Sequence, residues 1–241
     1  MIDHAQTEAA RRLIVALDFP SADEGERLAA LLKGHVGVFK IGLELVYADG
    51  LGLVRNLVEA GHQIFLDAKL LDIPNTVERA TANAARLGAA FLTVHGTDRK
   101  TLDAAMRGRG GAATKLLAIT VLTSLDDTDL KKQHIGLSAV ELVLQRAKLA
   151  RDAGFDGVVA SAQEAASIRA ELGDGFLIVT PGIRPAGANA GDQSRVVTPA
   201  DAIARGADYL VVGRPISAAA DPLDAARQII AEMATARSGK H

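Results

Sequence analysis

The 241 residues contain no cysteine and no tryptophan. Disulfides and thiolate metal sites are therefore excluded. Aromatic residues make up only 3% of the chain, against 49% hydrophobic residues overall. The core must then be built from Ala, Val, Leu and Ile, a composition that fits helices layered on parallel strands. Neither charge dominates: 27 basic residues face 29 acidic ones, for a formal net charge of −2. Such balance argues against nucleic acid or a membrane as the main partner. No apolar run approaches the roughly 18 residues of a membrane span. The N-terminus, with Asp3, His4 and Glu8, lacks signal-peptide character. A cytoplasmic location is expected. His4, His35, His62, His134 and His241 show no paired metal-ligand spacing, and Asp126, Asp127 and Asp129 read as a solvated turn.

What is present is a regular alternation. Short apolar runs are expected as strands at Arg12–Asp18, Val36–Lys40, Ile64–Leu66, Ala90–His95, Lys115–Leu122, Asp156–Ser161, Phe176–Thr180 and Tyr209–Val212. Helical stretches fall between them. Ser21 with Glu24 forms a capping-box pattern, Ser138 opens an amphipathic helix through Ala153, and Thr198-Pro199 opens another. No linker or composition break divides the series. The pattern predicts one (β/α)8 barrel domain over residues 1–241, with its core at about 12–235. An open doubly wound sheet is the runner-up, but no Gly-x-Gly-x-x-Gly follows the first strand.

The series is organised around Gln63-Ile64-Phe65-Leu66-Asp67-Ala68-Lys69-Leu70-Leu71-Asp72-Ile73-Pro74-Asn75-Thr76. Residues two apart in a strand share a face, so Phe65, Asp67 and Lys69 point one way. Asp72 follows three residues later, where Pro74 ends the pairing and Asn75 or Thr76 suits a helix cap. The result is an acid-base-acid row at a strand end. A salt-bridged surface turn is the plainer reading, but the strand before it is fully apolar and buried ion pairs rarely add net stability.

Barrel sites lie at the C-terminal ends of the strands, where Asp18, Lys40, Asp67, Lys69 and His95 fall. For His95 a hydrogen-bonded wall is the favoured reading over a catalyst. Thr123-Ser124 follows the fifth strand, Pro181 to Pro185 the seventh, and Gly213-Arg214-Pro215 the eighth. A phosphate site is common after the last two strands. Gly213 would let backbone approach an anion, and Arg214 would grip two phosphate oxygens. The long loop through Arg184, Gln193 and Arg195 has anion-binding chemistry and room to close over a ligand.

Taken together, Val15-Ala16-Leu17-Asp18, Phe39-Lys40, Asp67-x-Lys69-x-x-Asp72-Ile73-Pro74-Asn75-Thr76, Val121-Leu122-Thr123-Ser124, Thr180-Pro181-Gly182-Ile183-Arg184-Pro185, Gly191-Asp192-Gln193 and Val212-Gly213-Arg214-Pro215 resemble the orotidine 5'-phosphate decarboxylases. The resemblance runs from about residue 12 to residue 232. Asp-x-Lys-x-x-Asp alone marks only a wider superfamily; the Pro-Gly-Ile-Arg-Pro loop and Gly-Asp-Gln narrow it. The resemblance implies cofactor-free conversion of orotidine 5'-monophosphate to uridine 5'-monophosphate and CO2, in de novo pyrimidine synthesis. It implies Lys69 as proton donor to C6, Asp67 against the departing carboxylate, and Lys40 and Asp72 completing the charge row. Lys40 and Asp18 would hold the ribose hydroxyls, and Thr123 (or Ser124) and Pro181 would border the base. Arg184, Gln193, Gly213 and Arg214 would hold the phosphate. It also implies a homodimer with shared sites, in which Asp72, Ile73 and Thr76 serve the neighbour. Two alternatives stand beside this. One is a Mg2+-dependent sugar-phosphate lyase or decarboxylase using the same Asp-x-Lys-x-x-Asp. The other is a non-catalytic phosphate-binding barrel.

Overall fold

A computed structural model of the chain describes residues 4–185 and 197–236. The eight expected strands are all present: β1 Leu13–Ala16, β2 Val38–Gly42, β3 Gln63–Leu70, β4 Phe91–His95, β5 Lys115–Ile119, β6 Gly157–Val159, β7 Leu177–Thr180 and β8 Tyr209–Val212. All pair in parallel, each with its neighbour in sequence, and β8 closes on β1 through Ile14 opposite Val211. The protein is a (β/α)8 barrel. The doubly wound alternative is corrected by this closure.

Twelve α-helical segments are found among the described residues: α1 His4–Arg12, α2 Ala22–Leu31, α3 Leu43–Leu45, α4 Leu51–Glu59, α5 Pro74–Arg86, α6 Arg99–Arg109, α7 Asp127–Lys132, α8 Ala139–Asp152, α9 Ala162–Leu172, α10 Pro199–Ala204, α11 Arg214–Ser217 and α12 Pro222–Thr235. None is long and apolar enough to cross a membrane. The Ser138 capping box forms, its hydroxyl accepting from Glu141 N and the Glu141 carboxylate accepting from Ser138 N. Thr198 caps α10 through Asp201 N, with Pro199 at the first helical position.

Local expectations fail where a competing bond is available. The Ser21 hydroxyl donates to the Glu24 carboxylate at 2.9 Å instead of capping a backbone N–H. Helix α5 begins at Pro74, ahead of the expected Asn75 or Thr76 cap, because proline has no N–H that needs capping there. Asp126 and Asp127 are exposed as expected, but Asp126 closes a capping box that opens α7 instead of a turn. Helix α1 was not foreseen, and the helical stretch after β2 is broken at Val46–Gly50, where Asp49 takes φ +65°.

The core has two layers. One lies between strands and helices and holds most of the buried Leu, Ile, Val and Ala. The other fills the barrel: Ile14, Ala16, Val38, Phe65, Phe91, Leu117, Val179 and Val211. Two residues beyond Val38, Phe65 and Phe91 stand Lys40, Asp67 and Thr93. Strand alternation therefore carries these three polar residues toward the same interior, one level nearer the C-terminal mouth.

Candidate active site

A cavity of about 170 Å³ opens at the C-terminal mouth, lined by Lys40, Phe65, Asp67, Lys69, Ile119, Val121, Leu122, Thr123, Val159, Pro181 and Val211. A larger hollow of about 570 Å³ lies elsewhere, between α1 and α12 beside Gly34 and His35. The smaller one is the candidate site. It alone of the two holds charged groups on converging strand ends, where barrel active sites are built.

Three side chains of its wall, Lys40, Asp67 and Lys69, join Asp18 in a row that alternates in sign. Lys40 Nζ lies 2.8 Å from Asp18 Oδ1 and 3.9 Å from Asp67 Oδ2. Asp67 Oδ2 in turn accepts from Lys69 Nζ at 2.6 Å. Lys40 and Asp67 are nearly buried, Lys69 is about a quarter exposed, and Asp18 is half exposed. The row thus runs from the rim at Asp18 into the interior and back toward the cavity at Lys69. The apolar wall of Phe65, Ile119, Val159 and Val211 gives these charges a low-dielectric setting, where fixed charges act more strongly than in water.

Local backbone aims Lys69. Pairing of β3 with β4 runs through Leu66 opposite Leu92 and resumes at Leu70 opposite Val94. The bulge between them places Lys69 at φ +47°, in the left-handed region. That conformation costs a non-glycine residue roughly 1–3 kcal/mol and clusters at functional sites. Bulges beside active sites re-aim side chains.

Electrostatics sharpen two further positions. Burial, then the positive charges of Lys69 and Arg146, hold the His95 pKa below its ordinary value, against the opposing pull of Asp67. His95 is thus kept toward its neutral form beside the row. Arg184 is nearly buried, and burial followed by repulsion from Arg214 lowers its pKa. Arg184 follows β7 and Arg214 opens α11 after β8. Gly182 at φ +77° makes the turn that carries Ile183 and Arg184.

The expected residues do not all converge. Asp18, Lys40, Asp67 and Lys69 form the row, and Thr123 and Pro181 line the same cavity. Gly213 lies beside Asp18: a β-carbon at Gly213 would be 3.8 Å from Asp18 Oδ2. Asp72, Ile73 and Thr76 are exposed, and the Asp72 carboxylate accepts from Ile73 N. Within the chain, Asp72 forms no ion pair with the row. Gln193, with Gly191, Asp192 and Arg195, lies outside the described residues.

Two residues escaped the sequence reading. Thr93 hydrogen-bonds to Asp67 and to the Lys69 backbone. Its signal was a single hydroxyl in the apolar run of β4. Gly42 stands where a β-carbon would lie 2.8 Å from Lys40 Nζ and 3.2 Å from Asp18 Oδ1. Its signal was a glycine two residues after a buried lysine.

The profile of the family described as Orotidine 5'-phosphate decarboxylase / HUMPS matches residues 11–229. An orotidine 5'-phosphate decarboxylase of Afipia carboxidovorans is 53% identical over 230 residues, which is 95% of this chain and 97% of that one. One of Methylobacterium sp. (strain 4-46) is 55% identical over 228 residues, covering 93% and 96%. The crystal structure of orotidine 5'-phosphate decarboxylase from Lactobacillus acidophilus superposes with a TM-score of 0.82 at 38% identity, covering 92% of this chain and 99% of that one. The chain belongs to the orotidine 5'-phosphate decarboxylase / HUMPS family.

Proposed function

We propose that this protein converts orotidine 5'-monophosphate to uridine 5'-monophosphate and CO2 in de novo pyrimidine synthesis, in the cytoplasm, without a cofactor. The observation that carries this reading is Lys69 Nζ held 2.6 Å from the nearly buried Asp67 at a cavity mouth, in a chain of this family. In the reaction the bond from C6 to the carboxylate breaks and its electron pair stays on C6. The ring has no adjacent electron sink. An ammonium facing C6 favours the developing negative charge and then donates the proton that ends the step. Lys69 is left as a neutral amine and regains a proton from solvent.

Asp67 has two roles in this reading. It keeps the Lys69 ammonium in place, and it faces the substrate carboxylate, disfavouring the bound ground state until CO2 departs. The binding energy for this comes from remote groups. Arg184, Gln193, Gly213 and Arg214 hold the phosphate, Lys40 and Asp18 the ribose hydroxyls, and Thr123 and Pro181 the base. Barriers for very slow reactions need lowering by about 20 kcal/mol, so the work is spread over many contacts.

We infer also that the enzyme is a homodimer with shared sites. Leu71, Ile73 and Tyr47 are 55%, 67% and 87% exposed in the single chain. Leu71 and Ile73 flank Asp72, so an apolar interface there would carry Asp72 into the neighbour's charge row. The Mg2+-dependent alternative requires a second carboxylate beside the motif. In this protomer the groups hydrogen-bonded or ion-paired to Asp67 are two ammoniums and a hydroxyl.

Ultraviolet absorbance of orotidine 5'-monophosphate tests the chemistry. Loss of the orotate absorbance on adding protein, equal with and without EDTA, is the expected result. Loss only without EDTA would assign the metal-dependent reaction, and no loss would reject a decarboxylase. Mixing tests the shared site. Asp72→Asn and Lys69→Ala subunits, each inactive alone, recover activity together. No recovery after verified subunit exchange would confine the site to one chain.

A further inference from the structure

Thr93 sits in the middle of β4 and has no exposed surface. Both hydrogen bonds of its hydroxyl go to β3. The oxygen accepts from the Lys69 backbone N–H at 2.9 Å, and the hydroxyl donates to Asp67 Oδ1 at 2.9 Å. These two residues are the pair whose side chains meet at 2.6 Å.

The bulge explains why this hydroxyl is needed. Between the pairs Leu66–Leu92 and Leu70–Val94, β3 spends Asp67, Ala68 and Lys69 against Thr93 alone. The Lys69 N–H has thereby lost a regular ladder partner in β4, and the Thr93 oxygen takes it. The hydroxyl proton then engages one oxygen of Asp67. The other oxygen, Oδ2, faces both ammonium groups, at 2.6 Å from Lys69 and 3.9 Å from Lys40. One side chain therefore fixes the left-handed backbone of Lys69 and the rotation of the Asp67 carboxylate together.

We propose that Thr93 is a positioning residue for the decarboxylation, clamping the Lys69 backbone and the Asp67 carboxylate as one unit so that the ammonium meets the reacting carbon. Thr93 is absent from the cavity lining and acts through its two partners. The inference rests on the proposed function. Without the hydroxyl, the carboxylate is free to turn about its last bond toward Lys40, and the bulge loses the bond that holds Lys69. Misplacement of a reacting group by about 1 Å can cost on the order of 100-fold in rate.

Thr93→Val matches the shape and removes both bonds; Thr93→Ala removes them without a bulky replacement; Thr93→Ser keeps the oxygen. All three are compared with the wild type for kcat and KM toward orotidine 5'-monophosphate, for Kd of uridine 5'-monophosphate, and for Tm. The Val and Ala variants are expected to lose kcat by about 100-fold, the effect of misplacing a group that acts only in the transition state. Their KM and product Kd should stay within about threefold, since uniform binding is untouched. The Ser variant should restore kcat to within about threefold of wild type, because it keeps both hydrogen bonds. A folded Val or Ala variant with wild-type kcat overturns the proposal. So does a Ser variant as slow as Val, or loss of the fold in both Val and Ala, which would make Thr93 structural. A wild-type protein that does not decarboxylate would reject the proposed function itself, a result distinct from an active wild type with an indifferent Thr93.

Discussion

At the N-terminal mouth of the barrel, Asp156 and Asp208 stand just before β6 and β8. Each accepts from a strand N–H at 2.8 Å, Leu116 for the first and Ile178 for the second. Each carboxylate also pairs with an arginine, Arg109 at 2.7 Å and Arg169 at 2.6 Å. At the C-terminal mouth the same kinds of residue are arranged otherwise. Asp67 is shared by Lys40 and Lys69, Lys40 is shared by Asp18 and Asp67, and Arg184 and Arg214 repel each other. The first arrangement matches charge to charge and ties each acid to the backbone, so it fixes strand ends. The second shares each inner charge between two partners and sets Lys40, Asp67 and Lys69 in the wall of a cavity. Barrels divide labour in this way, with stability at the N-terminal face and chemistry at the C-terminal face.

The comparison breaks most sharply at Lys69. Lys69→Ala should lower turnover by at least about 10⁴-fold, the upper range for loss of a general acid. The protein should still fold and bind uridine 5'-monophosphate, because the lysine is partly exposed and its backbone bond to Thr93 does not depend on the side chain. Steady-state kinetics with a sensitive product assay, together with a thermal melt, check this. Retention of more than a few per cent of activity would remove Lys69 from the proton-donor role.

A smaller effect is expected at Arg214. A charge-assisted hydrogen bond contributes about 1.5–3 kcal/mol, so Arg214→Ala should weaken uridine 5'-monophosphate by about 10- to 100-fold. Binding of the unphosphorylated nucleoside should change little. Titration calorimetry with both ligands separates the outcomes. Equal weakening of the two would move Arg214 away from the phosphate.

Much of this division was legible in the sequence, for reasons that also mark its limits. Parallel strands buried on both faces read as short apolar runs, so all eight were found. Period-two alternation put Asp67 on the face of Phe65; Lys69 reaches the same cavity through a bulge that alternation did not announce. What stayed hidden depends on contacts between distant residues. Nothing near Thr93 announces that its hydroxyl meets a carboxylate 26 positions earlier. Gly42 reads as an ordinary glycine until Lys40 Nζ occupies the space of its missing side chain. Helix α1 was missed because its polar sequence buries only Ala9 and so gives no apolar stripe. The Asp156 and Asp208 pairs were missed likewise, since their arginines lie 47 and 39 residues away.

Those pairs supply the mildest and most selective test of the comparison. Asp208→Ala removes the acceptor for Ile178 N and the partner of Arg169. Arg169 keeps carbonyl partners at Gly173, Phe176 and Gly206, so its charge is not stranded. The main loss is therefore the bond to Ile178 N, together with a partly solvated ion pair. Together these contribute about 1–3 kcal/mol. In a chain of this size that corresponds to a Tm lower by roughly 5 °C. Turnover at 25 °C should not change, because Asp208 lies at the opposite end of the barrel from Lys69. Differential scanning calorimetry and kcat on the same preparation decide it. A fall in kcat without a fall in Tm would mean that the two mouths are coupled through β7 and β8, which also carry the loops of Arg184 and Arg214.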